Sequence, residues 1–211
     1  MKMHINFNGR ILKYFLIAFL ALFLILLPFR ILVFNHTYYD LELEKLGVSR
    51  DVNNSQIVLN ETIQLLKYGE PPVEEYGQRE NLHLLDVKRV LDLFFVLFGL
   101  SLLMVIVLSF TMIRADKKLF CISLFFGSLI ALVLVVLLAL FFIFGFQTSF
   151  EIFHKLFFQP GTYIFNPDTE LLKAMFPDEF FSDFAVLSFG ITAVLSCFVI
   201  RASAMMKKHW I

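Results

Sequence analysis

The chain has 211 residues, of which 59% are hydrophobic and 28 are phenylalanine, and its formal net charge at pH 7 is zero. This apolar content exceeds what a soluble domain of this length can bury, so the composition predicts an integral membrane protein surrounded by membrane lipids. The balanced charge gives no overall basic or acidic surface, and we therefore expect no nucleic-acid partner.

Four stretches are apolar and long enough to cross a bilayer, which takes about 20 helical residues. The first has no small-x-small cleavage site and a longer apolar run than a signal peptide, so we expect it to be retained. The predicted fold is an all-α membrane protein, a single integral membrane domain over residues 1–211. The four predicted transmembrane helices lie at about residues 14–34, 93–113, 119–146 and 184–206.

Basic residues are distributed unevenly around these spans. They cluster before the first span, between the second and third, and near the end of the fourth, whereas the two longer loops, about 35–89 and 147–183, are richer in Asp and Glu. The positive-inside rule places both termini in the cytoplasm and both helical loops outside, where they cap the outer face. The basic residues are Lys2, Arg10, Lys13, Arg114, Lys117, Lys118, Arg201, Lys207 and Lys208.

The first outer loop is predicted to contain an amphipathic helix. The run Asn-Asn-Ser at 53–55 can cap this helix, which then ends at Gly-Glu-Pro-Pro, residues 69–72. A second helix should begin near Arg79 and continue into the second span, because no Pro or Gly interrupts it before Gly99. In the first turns of this helix, Glu80 and Asp86 each lie three residues from His83, so a carboxylate could contact its imidazole from either side.

The second outer loop carries an aromatic stripe at helical spacing, with His154 beside it. Thr148 and Glu151 have the spacing of a capping box, which predicts a helix start there. Pro167 is placed as a first helical residue. A short helix Leu171–Met175 should follow and end at the next proline.

The predicted spans contain almost no ionisable groups in their interiors, which argues against a proton-coupled transporter. His83 and His154 lie in separate outer loops, and together they could form a general acid/base pair or a metal site. The metal version is weak, because there is no His-Glu-x-x-His motif and the only cysteines, Cys121 and Cys197, lie in apolar stretches. Taken alone, His154 also fits a residue at the polar edge of an amphipathic helix.

Four motifs occur in the two outer loops in a fixed order. They are Arg-Glu-x-x-His-Leu-x-Asp-Val-Lys at 79–88, Phe-x-x-Phe-His-x-x-Phe-Phe at 150–158, Phe-Asn-Pro-Asp-Thr-Glu-Leu-Leu at 165–172 and Phe-Pro-Asp-Glu-Phe-Phe at 176–181. With the chain length and the four spans, this ordered set resembles the lipoprotein intramolecular transacylase (Lit) family of low-GC Gram-positive bacteria. Tyr163 and Glu170 depart mildly from the family pattern.

The resemblance implies a reaction and its setting. Members of the Lit family move the sn-2 acyl chain of the diacylglyceryl-Cys at a lipoprotein's N-terminus to the α-amino group of that cysteine, which gives the lyso form. The expected protein is thus an acyltransferase of the bacterial cell membrane with its active site on the extracellular side. Its expected substrate is a diacylated lipoprotein, and we expect no metal, no organic cofactor and no obligate protein partner.

The resemblance also implies roles for individual residues. His83 and His154 would form the catalytic pair, with His83 as the favoured base. Glu80 or Asp86 would fix the imidazole tautomer and raise its basicity. Residues assigned to substrate amine or headgroup contacts are Arg79, Lys88 and Asp168.

Two alternatives to this function stay open from the sequence. The first is a non-catalytic membrane scaffold or partner of an envelope complex, in which His83 would matter only for stability. The second is a metal-dependent hydrolase of outer-leaflet lipids, which would contain stoichiometric zinc.

Overall fold

The computed structural model describes residues 7–210 and is helical throughout its regular elements. This confirms the predicted all-α fold. Lys2, one of the basic residues used to predict orientation, lies outside the described residues. Within residues 7–210 the helices are α1 Phe7–Leu32, α2 His36–Lys45, α3 Val48–Asp51, α4 Ser55–Tyr68, α5 Gln78–Ala115, α6 Lys117–Phe157, α7 Leu171–Met175 and α8 Asp178–Trp210.

Four of these helices, α1, α5, α6 and α8, are long and apolar enough to cross a membrane. Helices α5, α6 and α8 each contain one of the predicted spans, and α1 contains the first except for its last two residues, because α1 ends at Leu32. The chain is a multi-pass membrane protein. A bilayer requires a helix of about 20 residues, and helices α5 and α6 are both far longer. His83 precedes the apolar stretch of α5 that begins at Leu93, and His154 follows the apolar stretch of α6 that ends at Phe146.

Within the described chain, the helices contribute to two compact units. One unit comprises residues 7–31, 96–140 and 187–210. Its core includes a cluster in which Leu20, Ala21 and Leu24 of α1 are buried with Ala131 of α6. The other unit comprises residues 32–95 and 141–186, and it contains both candidate histidines. The prediction of a single integral membrane domain stays a prediction.

Helix α6 is interrupted at Gly145, whose φ of −156° and ψ of 52° are not helical. Ser149 Oγ donates a hydrogen bond to the Gly145 carbonyl oxygen at 2.9 Å, which satisfies one backbone group at the break. The helix resumes directly, so the predicted capping box at Thr148 and Glu151 is wrong. Glu151 instead pairs with Lys155 at 2.6 Å.

Helix α4 has the predicted bounds but not the predicted cap. Asn54 occupies the N-cap position in a left-handed conformation and its side chain makes no capping bond. The helix ends at Gly69, whose φ of 85° suits a residue without a Cβ atom. Its buried face includes Val58 and Ile63, as the amphipathic pattern indicates.

The short helix α7 spans Leu171–Met175 as predicted, but Pro167 does not begin it. Pro167 lies in a turn held from both sides by polar side chains. The Asn166 side chain accepts from the Asp168 backbone N–H at 3.0 Å, and Glu170 accepts from the Asn166 N–H at 2.7 Å. These local bonds compete with helix formation, which therefore starts four residues after Pro167.

Candidate active site

His83 lies near the N-terminus of α5, in an unbroken helical segment. Its side chain is buried, with 7% of the residue exposed. The rings of Phe158 and Phe165 lie 5.0 and 5.3 Å from its imidazole, centroid to centroid. Nδ1 of His83 is buried without a hydrogen-bond partner among residues 7–210. The ring is therefore held by aromatic packing rather than by a polar partner.

His154 lies in the part of α6 that follows the break, and it is similarly buried. The rings of Phe150 and Tyr163 lie 4.1 and 4.8 Å from its imidazole. Nδ1 of His154 lies 2.7 Å from the carbonyl oxygen of Phe150. Because a carbonyl oxygen can only accept, Nδ1 carries the proton in the neutral ring, and Nε2 presents a lone pair.

The two imidazoles lie together although they come from different predicted loops. Their ring centroids are 6.2 Å apart and their planes differ by 20°. The structure thus brings His83 and His154 into one aromatic cluster. An imidazole with an unperturbed pKa can accept or donate a proton near neutral pH.

Burial sets the protonation state of this pair. Burial, together with the adjacent His154 and Arg79, lowers the pKa of His83 to about 4, although Asp86 acts in the opposite direction. Burial also lowers the pKa of His154, opposed by its hydrogen bond to the Phe150 carbonyl. Both rings are therefore neutral at pH 7. Asp86 raises the pKa of His83 as a nearby carboxylate should, but desolvation outweighs this contribution and the net pKa is lowered.

Neither carboxylate that was expected to orient His83 makes a hydrogen bond to it in the described chain. Glu80 is buried, with 4% exposed, and accepts from the backbone N–H groups of Gly77 and Leu172, each at 2.6 Å. Asp86 instead pairs with Arg89 at 2.6 Å on the helix surface. The contact that fixes a tautomer in this site is the one between His154 Nδ1 and the backbone carbonyl oxygen of Phe150.

Arg79, assigned from the resemblance to substrate contacts, is engaged by the protein itself. Its guanidinium donates two hydrogen bonds to the carboxylate of Glu170, at 3.0 and 2.9 Å. It also donates to the carbonyl oxygen of Ile164 and lies 4.7 Å over the ring of Phe165. Arg79 therefore attaches the segment before α7 to the start of α5.

The two remaining predicted contact residues lie outside the histidine cluster's ring contacts. Lys88 pairs with Asp92 one turn later on α5, at 2.6 Å. Asp168 is exposed, and its backbone N–H donates to the Asn166 side chain. Their proposed contacts with substrate stay predictions.

Sequence reasoning missed a polar group beside His154. Lys173 and Asp178 form an ion pair, and Gln147 donates to Asp178 at 2.9 Å. The Lys173 ammonium lies 5.9 Å over the ring of Phe150, which also packs on His154. These residues come from α6, α7 and α8, so no sequence spacing could reveal the cluster.

Within residues 7–210, no three His, Cys, Asp or Glu side chains form a group that could hold a metal ion. The site's chemistry is instead that of two neutral imidazoles in an apolar, aromatic setting. Such a pair can accept a proton from one group and donate a proton to another.

Comparison with known families supplies the wider context. The sequence matches the family "Lipoprotein intramolecular transacylase Lit" over residues 14–181, which is most of the chain. The chain belongs to this family. No curated protein sequence matches it.

The fold is also similar to that of solved structures. The membrane integral lipoprotein intramolecular transacylase Lit from Bacillus cereus superposes with a TM-score of 0.86 at 18% identity, over 96% of this chain and 97% of that one. Two variants of the B. cereus protein, in which a histidine is replaced by arginine or by alanine, both give TM-scores of 0.80 at 18% identity. Both cover 96% of this chain, and 93% and 94% of the respective variants.

Proposed function

We propose that the protein transfers the sn-2 acyl chain of a diacylglyceryl-Cys lipoprotein N-terminus to the α-amino group of the same cysteine. Family membership supports the reaction class, and the paired imidazoles of His83 and His154 support the chemistry. The single observation that carries the mechanism is the bond from His154 Nδ1 to the Phe150 carbonyl. It leaves a neutral ring with Nε2 free to accept a proton.

In the proposed reaction, the neutral α-amine attacks the carbonyl carbon of the sn-2 ester. His154 Nε2 accepts the amine proton as the C–N bond forms, and the C–O bond to glycerol then breaks. The His154 imidazolium then returns this proton to the departing glycerol oxygen, which gives an N-acyl, S-monoacylglyceryl cysteine and restores neutral His154. A free α-amine has a pKa of about 8, so a substantial minority is already neutral at pH 7 to 8.

His83 would supply the complementary hydrogen-bond donor. Its Nδ1 is buried without a partner, so the neutral form with the proton on Nε2 can offer that proton to substrate. There it would stabilise the developing oxyanion by a hydrogen bond and keep its own proton. His154 thus replaces His83 as our favoured base.

The intramolecular arrangement accounts for much of the expected acceleration. Nucleophile and ester belong to one molecule, so positioning them replaces an unfavourable bimolecular encounter. The aromatic walls of the site also limit water, which would otherwise hydrolyse the ester. No covalent enzyme intermediate and no cofactor is needed in this scheme.

The basic residues support a location for the site on the extracellular side of the membrane. Arg114, Lys117 and Lys118 flank the short connection from α5 to α6, the opposite end of both helices from the histidines. The positive-inside rule places that connection in the cytoplasm. Labelling of single introduced cysteines by an impermeant reagent in intact cells would contradict this location if Asp168→Cys stayed protected while Asp116→Cys reacted.

The experiment that tests the proposed function is mass spectrometry of one lipoprotein's N-terminal lipopeptide from a host that makes only diacyl lipoproteins. Cells expressing this protein should yield the N-acylated, S-monoacyl peptide, and cells expressing His154→Ala should retain the diacyl form. Retention of the diacyl form by well-expressed wild type would refute the proposal. Formation of an S-monoacyl peptide without N-acylation, lost in a strong chelator and restored by zinc, would favour the metal-dependent hydrolase instead.

A further inference from the structure

Residues 159–170, which are all but the first residue of the segment between α6 and α7, cover the two histidines, and we call these residues the strap. It has no helix or strand of its own. Tyr163 packs on His154 and Phe165 packs on His83, at centroid distances of 4.8 and 5.3 Å. The strap therefore contributes one aromatic wall to each imidazole.

Glu80 connects the start of α5 to the end of the strap. One carboxylate oxygen accepts from Gly77 N–H, just before α5, and the other accepts from Leu172 N–H, at the start of α7. A buried carboxylate is unfavourable unless hydrogen bonds compensate it, and these are charge-assisted bonds at 2.6 Å. Both carboxylate oxygens of Glu80 therefore accept hydrogen bonds from backbone groups, one just before α5 and one in α7.

A second attachment lies nearer the surface. Arg79 binds Glu170 and the Ile164 carbonyl within the strap, but half of the Arg79 side chain is exposed. An exposed ion pair is weakened by solvent, so the buried Glu80 is the firmer of the two attachments.

We propose that Glu80 is a positioning residue: through Leu172 it holds the strap against His83 and His154, and so keeps the pair covered and dry. Its role as an aid to catalysis rests on the proposed function, whereas its role in covering the histidines can be measured without any activity. Glu80 acts through the strap and does not touch the imidazole.

Removal of the Glu80 charge could change the pKa of His83 in two ways, and the two changes have opposite signs. If Glu80 acted only as a nearby negative charge, Glu80→Gln would lower the pKa of His83 further. If it holds the strap, loosening the strap rehydrates the ring and raises that pKa towards its usual value. The charged groups around the pair, namely Asp86 and Arg79 near His83 and Lys173 and Asp178 near His154, are unchanged in this variant.

The test is carbethoxylation of histidines by diethyl pyrocarbonate in the intact protein, followed by peptide mass spectrometry. Glu80→Gln replaces one acceptor oxygen by an amide NH2 group, which cannot accept from a backbone N–H. We expect His83 to be labelled about tenfold faster than in wild type, as the loss of one charge-assisted hydrogen bond implies. Exposed His36 serves as the internal reference, and Glu151→Gln on the surface of α6 serves as the matched control.

Glu80→Gln should also raise the pKa of His83, measured by NMR titration of its ring, whereas loss of charge alone would lower that pKa. Labelling of His83 at the wild-type rate, or a lower pKa of His83 in the variant, would overturn the proposal. If the variant is unstable, Phe165→Ala opens the same cover with Glu80 intact and should also speed labelling; unchanged labelling there would equally overturn it. If wild type is inactive but labelling still depends on Glu80, the proposed function fails and the positioning role stands.

Discussion

His154 Nδ1 lies 2.7 Å from the Phe150 carbonyl oxygen one helical turn earlier, and this bond distinguishes the two histidines of the cluster. His83 has aromatic neighbours but no hydrogen-bond partner for its own Nδ1 among residues 7–210. The pair is therefore asymmetric, with an oriented acceptor on one ring and a donor available on the other. We base the following predictions on this asymmetry and on the packing around it.

Replacement of either histidine should abolish most of the transfer. General acid or base catalysis by a positioned side chain contributes roughly 10²- to 10⁴-fold, so His154→Ala and His83→Ala should each lose activity in that range. The double variant should be little worse than the more impaired single one, because both act in one proton-transfer step. Initial rates with a purified lipopeptide in detergent would measure this, with the exposed His36→Ala as the control. Losses that multiply in the double variant would show that the two rings act independently.

Stability should depend on pH through His83. Its pKa is about 4 in the folded protein and about 6.5 when unfolded, so between these values the unfolded chain binds more protons. Stability is thus fully present above pH 6.5, and up to about 3 kcal/mol is lost as pH falls to 4. Thermal unfolding in detergent should show this slope in wild type and a much smaller slope in His83→Phe. Equal slopes in the two proteins would contradict the burial of a neutral His83.

The ion pair of Arg79 and Glu170 should make a small but measurable contribution. Its bidentate geometry should make it more stabilising than an ordinary surface pair, but half of the Arg79 side chain is exposed, which limits this contribution. A double-mutant cycle with alanine should give a coupling of about 1 kcal/mol or less in unfolding free energy. The fully surface pair Glu151 and Lys155 should give a smaller coupling in the same assay. A larger coupling for the surface pair would contradict this ranking.

Gly127 should be the glycine of α6 at which a side chain is least tolerated. A Cβ atom there would lie 3.0 Å from Leu20 Cδ2 and 3.1 Å from the backbone oxygen of Ile17, on α1. Close approach of two helices through a small residue is a common packing device in membranes. Gly127→Ala should destabilise the protein by about 1 to 3 kcal/mol, as overpacking does. At Gly190 a Cβ atom meets nothing within 4 Å, so Gly190→Ala is the matched control, and it should be neutral.

The sequence predicted those parts of the site that depend on local pattern. The absence of Pro and Gly correctly indicated a continuous helix around His83 and into the second span. The outer-loop motifs selected His83 and His154 together, and the structure places them in one cluster. Hydropathy identified all four long apolar helices, because a span about 20 residues long is an unmistakable signal.

Features that depend on contacts between distant segments were not predictable. Glu80 accepts from the backbone of Leu172, in the other loop, as well as from nearby Gly77, whereas helical spacing alone favoured its neighbour His83. The lowered pKa of His83 depends on burial, to which Phe158 and Phe165 from the other loop contribute. The break at Gly145 and the resulting failure of the Thr148 cap likewise depend on how α6 continues as a folded element.

The measurement that most directly tests the proposed reaction is a crossover experiment with two synthetic diacylglyceryl lipopeptides of different peptide mass. One would carry a deuterated chain at sn-2 only, and the other would be unlabelled. We predict that the purified protein converts both, with deuterium appearing on the α-amine of the labelled peptide alone, and that His154→Ala converts neither. Deuterium on the unlabelled peptide, or N-acylation with the sn-1 chain, would contradict the proposed intramolecular transfer.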